Sequence, residues 1–153
     1  MPTTQGTLPR SAKTSCGRLL VCHAPSHLGA AEGMCMLVRH FLMQISMPLQ
    51  VFATELIVRE CLNNAIHHGN CGDPDKRVKL TVDASRERIR IRVADQGKGF
   101  NWRDAVQAVN TDSARPVGRG LAMIGAYASR IAFNPKGNVV TVDIATSRTA
   151  KGA

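Results

Sequence analysis

The sequence predicts an α+β fold, a two-layer sandwich in which three helices lie on one face of a mainly antiparallel mixed sheet. Apolar and polar residues alternate in two neighbouring segments, 77–83 and 88–93, which is the pattern of strands with one covered face. Two long segments with apolar residues at helical spacing precede this pair. Helices and strands therefore come in groups, which favours helices packed on one side of an antiparallel sheet.

The composition indicates one globular domain. The chain has 153 residues, which is enough to bury a core without disulfides or a structural metal. A hydrophobic share of 44% with a charged share of 20% argues against a disordered chain. Aromatic residues make up only 4%, so we expect a core of aliphatic side chains with Met and Cys.

Charge and cysteine content narrow the partners and the compartment. Lys plus Arg number 20 and Asp plus Glu 11, and this net charge of +9 suggests a nucleic acid, an anionic surface, a nucleotide or an acidic protein as partner. No stretch is apolar for about 18 residues, as a transmembrane helix requires, and residues 1–15 lack the apolar run of a secretory signal. The five cysteines include no C-x-x-C pair, so a zinc site has little support and reduced thiols in the cytoplasm are expected.

The first half of the chain predicts one strand and two helices. Residues 1–15 are expected to form a disordered tail, and the apolar run at 18–23 predicts a strand. Helical spacing predicts a helix over 26–46, with Ser26 as its N-cap and Pro48 beyond its end. A second helix is predicted over 49–68 and stops at Gly69, before a loop.

The second half predicts four strands and one further helix. After the hairpin, residues 95–117 are polar and glycine-rich, which predicts a long loop with one helical turn near 102–108. A helix is predicted over 118–129, and strands over 130–133 and 138–145. The predicted order is β-α-α-β-β-loop-α-β-β. The predicted domain spans 16–147, and a polar tail follows at 148–153.

Three segments are candidates for chemistry. Glu60 and Asn64 share a face of a helix that is apolar nearly all round, so they either line a cavity, find partners or lie on an exposed turn. The segment D-Q-G-K-G-F at 95–100 follows a strand, and its glycines either admit a ligand close to the backbone or form a plain turn. The segment G-R-G-L at 118–121 opens a helix, where free amides suit a phosphate.

Together, E-x-x-x-N-A-x-x-H at 60–68, D-x-G-x-G-F at 95–100 and G-x-G-L at 118–121 resemble the Bergerat ATP-binding fold. This GHKL family includes gyrase-type ATPases, Hsp90 chaperones, sensor histidine kinases and their serine-kinase relatives. The resemblance spans residues 18–145, without a helix pair that carries a phosphoacceptor histidine. The stretch V-R-E-C-L-N-N-A-I-H-H-G at 58–69 looks like the bacterial anti-sigma factors that double as serine kinases in stress and sporulation control.

The resemblance implies ATP and Mg²⁺ as cofactors and a role for each motif residue. Glu60 matches the general base, Asn64 matches the Mg²⁺ ligand, and Asp95 matches the residue that accepts a hydrogen bond from the adenine amino group. Gly97 and Gly99 would shape the floor of the adenine pocket. Residues 101–117 would form a lid over ATP, from which Arg115 could reach a phosphate. The residues that would bind the phosphates are Gly118, Arg119, Gly120 and Leu121.

The implied function is that of a cytoplasmic ATP-dependent serine/threonine protein kinase and anti-sigma factor. Its partners would be a sigma factor and an antagonist protein that carries the phosphorylated serine. The alternative is an ATP-binding module that sequesters a partner with little or no kinase activity. In the family the N-terminal region helps to form a homodimer; here Met34, Met36 and Phe41 fit either such an interface or the core, and the core is favoured.

A stripe of Arg88, Arg90 and Arg92 lies on the polar face of a predicted strand. It is either a solvated sheet face or a patch that steers an acidic partner. Aromatic residues do not interleave with it, and no helix-turn-helix or RNA-binding signature is present, so no direct nucleic-acid partner is expected.

Overall fold

A computed structural model describes the backbone of residues 12–14, 17–101 and 116–146 and the side chains of 18–101 and 120–146. A 3₁₀ turn (Pro48–Gln50) precedes the second helix, and a π turn (Ala65–Gly69) follows it. In chain order the other elements are β1 (Ala12–Thr14), β2 (Gly17–Pro25), α1 (Leu28–Gln44), α2 (Val51–Asn64), β3 (Arg77–Ala84), β4 (Arg88–Ala94), α3 (Pro116–Tyr127), β5 (Arg130–Phe133) and β6 (Val139–Ala145).

The strands form one sheet in the order β1-β2-β3-β4-β6-β5, and each neighbouring pair is antiparallel. The predicted α+β sandwich is confirmed, although no parallel pair occurs among the strands that the structure describes. β1 lies within the segment predicted to be a tail. It pairs with β2 through backbone hydrogen bonds, which do not require the apolar pattern by which a strand is recognised.

The core lies between one face of the sheet and the three helices. Alternate residues of β3 and β4 are buried, so each strand has one face toward the helices and one away from them. The buried cluster is aliphatic with Met and Cys, and Phe41 is the one aromatic residue in it. Met34 and Phe41 are in the core as predicted, whereas Met36 is 70% exposed on the outer side of α1, where the prediction of a core position was wrong. No helix in the described ranges is long and apolar enough to cross a membrane.

The ends of the helices differ from the sequence prediction. The N-cap of α1 is His27, whose Nδ1 accepts a hydrogen bond from the Ala30 amide at 3.1 Å. Ser26 is buried instead, and its hydroxyl oxygen accepts a hydrogen bond from Asn70. The second helix stops at Gly69 as predicted, but its last turn widens into the π turn, where the Asn70 amide donates to the carbonyl of Ala65 at 2.7 Å. Such turns are rare and frequently occur at functional sites.

Helix α3 packs along α2 in the opposite direction. Gly120, near the start of α3, lies beside Glu60, and Tyr127, at its end, packs its ring edge-on against Phe52 with 5.9 Å between centroids. This packing brings the first turns of α3 next to the C-terminal half of α2. It thereby joins two of the three predicted motif segments.

Candidate functional site

The carboxylate and the amide on α2 face the start of α3. A Cβ atom added to Gly120 would lie 2.8 Å from Glu60 Oε2 and 3.9 Å from Asn64 Nδ2. Glu60 is partly buried and Asn64 is exposed, and neither side chain has a hydrogen bond or ion pair with another described residue. A glycine at position 120 therefore keeps both polar groups accessible, because a side chain there would press on the Glu60 carboxylate.

Asp95 follows β4 and is held tightly at its backbone. Its amide donates to the Asn138 carbonyl at 3.0 Å, and the Asn138 side-chain amide donates to the Asp95 carbonyl at 3.1 Å. The carboxylate accepts the Gly97 amide on Oδ1 at 2.8 Å, and Oδ2 has no hydrogen bond from any residue in the described ranges. The outer carboxylate oxygen is thus free to accept a hydrogen bond from a ligand.

Close backbone packing makes room for this carboxylate. The α carbon of Gly69, in the π turn, lies directly against the Asp95 carboxyl group, and the α carbon of Gly97 lies against the Gly69 carbonyl oxygen. Side chains at these two positions would overlap those atoms. The glycines therefore allow the end of α2 and the loop after β4 to meet at van der Waals distance.

Burial raises the pKa of Asp95 above its ordinary value, because desolvation penalises the charged form. The hydrogen bond from the Gly97 amide and the positive charges of Lys136 and Lys76 act in the opposite direction. Asp95 is therefore a partly desolvated hydrogen-bond acceptor, and the nearby amide and lysines favour its charged form. Such a group strongly prefers a hydrogen-bond donor as its neighbour.

Gly99 and Gly137 interlock two loops at the mouth of the site. Both have positive φ angles, +81° and +79°, and each approaches the other loop's backbone so closely that a Cβ would overlap a carbonyl oxygen. Phe100 and Phe133 pack edge to face beside them, with 5.5 Å between ring centroids. The sequence predicted a role for Gly99 in the pocket and none for Gly137, in the turn before β6.

These segments enclose a cavity of about 270 Å³. Its walls are mostly apolar, with a few polar groups at the α2 end and after β4, which is the usual character of a small-ligand pocket. The lining residues are Cys61, Asn64, Ala65, His68, Gly69, Val93, Asp95, Phe100, Leu121, Ile124, Phe133, Gly137, Asn138, Val139 and Val140.

The predicted site residues converge on this cavity in different ways. Asn64, Asp95 and Leu121 line it directly. Glu60 does not line it and lies against Gly120, next in sequence to the lining residue Leu121. Gly97 and Gly99 do not line the cavity and instead position the loop that forms its wall.

The structure describes only part of the segment that was predicted to bind the phosphates. Helix α3 begins at Pro116, two residues before the predicted start at Gly118, so Gly120 and Leu121 lie beyond its first turn. The Arg119 side chain, Arg115, the helical turn at 102–108 and most of the predicted lid at 101–117 lie outside what the structure describes. In the part that is described, no group of three or more His, Cys, Asp and Glu side chains could hold a metal ion.

Asn70 is a structural residue of the site that sequence reasoning missed. It is fully buried, its Nδ2 donates to Ser26 Oγ and to the Arg77 carbonyl at 3.1 Å each, and its Oδ1 accepts the Gln96 amide at 2.8 Å. These bonds tie the π turn to the start of β3 and to the loop that carries Asp95. Its position directly after H-H-G was the available signal, but only the fold shows its three partners.

A family model described as a histidine kinase-like ATPase domain matches residues 25–144. The match runs from the end of β2 into β6, and it includes every segment that meets at the cavity. The curated proteins include no match to the sequence.

Proposed function

Because the chain belongs to the histidine kinase-like ATPase domain family, we propose that it is an ATP-dependent serine/threonine protein kinase that acts as an anti-sigma regulatory factor in the cytoplasm. It binds a sigma factor and phosphorylates a serine of an antagonist protein. One observation carries the kinase proposal: Asn64, Asp95 and Leu121 line one cavity, and Glu60 lies one helical turn before Asn64, against Gly120.

The apolar part of the cavity suits the adenine ring. Val93, Ile124 and Val140 offer aliphatic surface, and the free Oδ2 of Asp95 is positioned at the end of β4 to accept a hydrogen bond from the adenine amino group. The Gly97 amide holds the other oxygen, so the orientation of the carboxylate is set before a ligand arrives. Preorganisation of this kind reduces the entropy lost on binding.

The phosphates lie, in this proposal, between the start of α3 and the end of α2. Backbone amides in the first turn of a helix lack intrahelical partners and bind anions; because α3 begins at Pro116, this argument supports the amide of Gly118 in this role and not those of Gly120 and Leu121, which lie beyond the first turn. The Asn64 side-chain amide is exposed beside the cavity and has no partner among the described residues. Its oxygen is therefore available to Mg²⁺, which prefers oxygen ligands and retains several waters. Mg²⁺ bound there would neutralise charge on the phosphates.

Glu60 is the proposed general base. Its partly buried carboxylate accepts the proton of the substrate serine as the serine oxygen attacks the γ-phosphorus, and ADP leaves as the bond to the γ-phosphate breaks. No described residue bonds this carboxylate, so it is available to the incoming hydroxyl. The protein contributes mainly by positioning, since phosphoryl transfer needs little covalent help.

The experiment measures transfer from radiolabelled Mg-ATP to a panel of purified antagonist-type proteins. Glu60→Gln keeps the shape of the side chain and should reduce the transfer rate by about 100-fold or more. Nucleotide affinity should stay within about threefold, because the base does not contact the ring. Glu55→Gln is the matched control, since Glu55 lies on the same helix and pairs with Arg39 away from the cavity.

The outcomes separate the two functions considered from the sequence. Transfer that requires Glu60 supports the kinase. Tight nucleotide binding without transfer to any antagonist, together with inhibition of a sigma factor that survives Glu60→Gln, would instead identify an ATP-binding module that sequesters its partner.

A further inference from the structure

One face of the sheet carries none of the helices in the described ranges, and it has an excess of positive charge. The alternation along the strands directs one set of side chains to the core and the other to this open face. Two carboxylates, Asp83 and Asp143, belong to the same rows. We call this the cationic sheet face; its basic residues are Arg77, Lys79, Arg88, Arg90, Arg92 and Arg130.

Only one of these cations is neutralised by an ion pair with a described residue. Arg90 binds Asp143 through two hydrogen bonds, of 2.7 and 2.8 Å, and the Asp143 side chain is only 9% exposed. Arg92 lies between Thr81 and Thr141 in the cross-strand register. Arg88 and Arg92, on either side of Arg90 along β4, have no ion pair with a residue in the described ranges.

The spacing of the arginines fits a helix. Alternate residues of a strand are about 6.7 Å apart, so Arg88 and Arg92 are separated by about 13 Å. Residues i and i+8 of a helix are separated by about 12 Å, with i+4 midway between them. A helix lying along β4 with acidic residues at i and i+8 would place them at Arg88 and Arg92, while Arg90 between them stays paired with Asp143.

Strand β2, which β3 separates from β4, supplies an apolar border on one side of the arginines. Leu19 and Val21 of β2 are partly exposed and lie in the same cross-strand rows as Arg90 and Arg92. A partner that is acidic along one line and apolar beside it would cover both parts of the surface. We propose that the cationic sheet face binds an acidic amphipathic helix of a partner protein.

The composition of the face favours a protein over a nucleic acid. In the strands that the structure describes, Phe133 is the one aromatic residue, and its ring packs on Phe100 at the cavity side of the sheet. Proteins that bind single strands generally offer stacking rings. Asp83 also stands beside Arg90 in its row, which suits a partner that is uncharged at this position and disfavours a nucleic acid, whose backbone carries a charge at every phosphate.

The face is separated from the nucleotide cavity by the sheet itself. The cavity lies on the helix-covered side, where Val93 and Val140 form part of its wall. A partner on the open face would therefore leave the cavity accessible. This inference does not depend on kinase activity, and nucleotide binding reports independently on the integrity of each variant.

The test uses the full chain and a designed helical peptide with Glu at positions i and i+8, Gln at i+4 and Leu beside this stripe. We expect micromolar binding that weakens as salt is added. Arg92→Glu should weaken it by about tenfold or more. Arg18→Glu, which makes the same charge change at an exposed residue in the row of Ala84, on the other side of the sheet, should leave it unchanged. A peptide with Lys in place of Glu should bind the Arg88→Glu/Arg92→Glu variant and not the wild type.

Three results would overturn the proposal. The first is no binding of the acidic peptide to a wild type that melts cooperatively. The second is equal weakening by Arg92→Glu and Arg18→Glu, which would reflect net charge rather than this surface. The third is tighter binding of a duplex DNA or a uridine oligonucleotide, weakened selectively by Arg92→Glu, which would make the face a nucleic-acid site.

Discussion

Replacing Asp95 with Asn tests the proposed adenine contact with almost no change in shape. The Gly97 amide donates to Oδ1 of this carboxylate, so the oxygen of the new side-chain amide will remain on that side. The NH₂ group must then occupy the position of Oδ2. It would face the adenine amino group, and two donors would oppose each other where a donor and an acceptor met before.

The magnitude follows from the lost hydrogen bond. A hydrogen bond to a charged group contributes about 1.5–3 kcal/mol, which corresponds to a loss of about 10- to 150-fold in nucleotide affinity. The substitution should not reduce the stability of the folded protein. Burial raises the pKa of Asp95, so the ionised carboxylate is disfavoured there, and a neutral amide that keeps the Gly97 hydrogen bond removes this penalty. We expect the free energy of unfolding of the ligand-free protein to be unchanged or slightly higher.

Calorimetric titration with Mg-ATP and Mg-ADP measures the affinity, and urea denaturation measures the stability. Asp75→Asn is the control, because it makes the same substitution on an exposed residue outside the cavity. Affinity of the Asp95 variant within about threefold of the wild type would refute the assigned contact. Loss of affinity accompanied by an equal loss of stability would attribute the effect to folding instead.

Three further predictions concern the rest of the molecule. Asn70→Ala removes three hydrogen bonds of a fully buried side chain and should lower the free energy of unfolding by about 3 kcal/mol in urea denaturation; a loss below about 1 kcal/mol would contradict those contacts. The hydrogen bonds from Arg90 lower the pKa of Asp143 below 3.8, so their stabilisation is present above that pH and is lost as the pH falls through the folded-state pKa. Asp143→Asn should therefore cost about 1 kcal/mol at neutral pH, and a gap to the wild type that persists in strong acid would argue against this ion pair. Burial raises the pKa of Cys61 to about 12, with a smaller contribution from the Glu60 carboxylate. Iodoacetamide should therefore label the exposed Cys71 in the native protein and spare Cys61, and peptide mass mapping measures both.

The sequence by itself determined the elements whose signal is periodic. The alternation in β3 and β4 identified both strands and their buried faces, because side chains on a strand alternate in direction whatever the rest of the fold does. Helical spacing identified α1 and α2 in the same way. The motif residues Glu60, Asn64 and Asp95 were also readable, since their types and intervals follow a known pattern.

Contacts between distant segments were decided only by the tertiary structure. Ser26 was predicted to cap α1, but its hydroxyl oxygen accepts a hydrogen bond from Asn70, 44 residues away. His27 caps α1 instead. Met36 follows the helical spacing of its neighbours and yet lies on the solvent side of α1. Periodicity states which residues share a face, whereas packing decides which edge of that face is covered.

The site shows the same division. Sequence identified Gly120 and Glu60 as members of separate motifs, and only the packing of α3 on α2 brings them to contact. The Asp95 carboxylate fits because Gly69 and Gly97 let two backbones approach closely. These distances depend on where whole elements lie relative to one another, and burial of the shared core sets those positions rather than any local preference of the residues in the site.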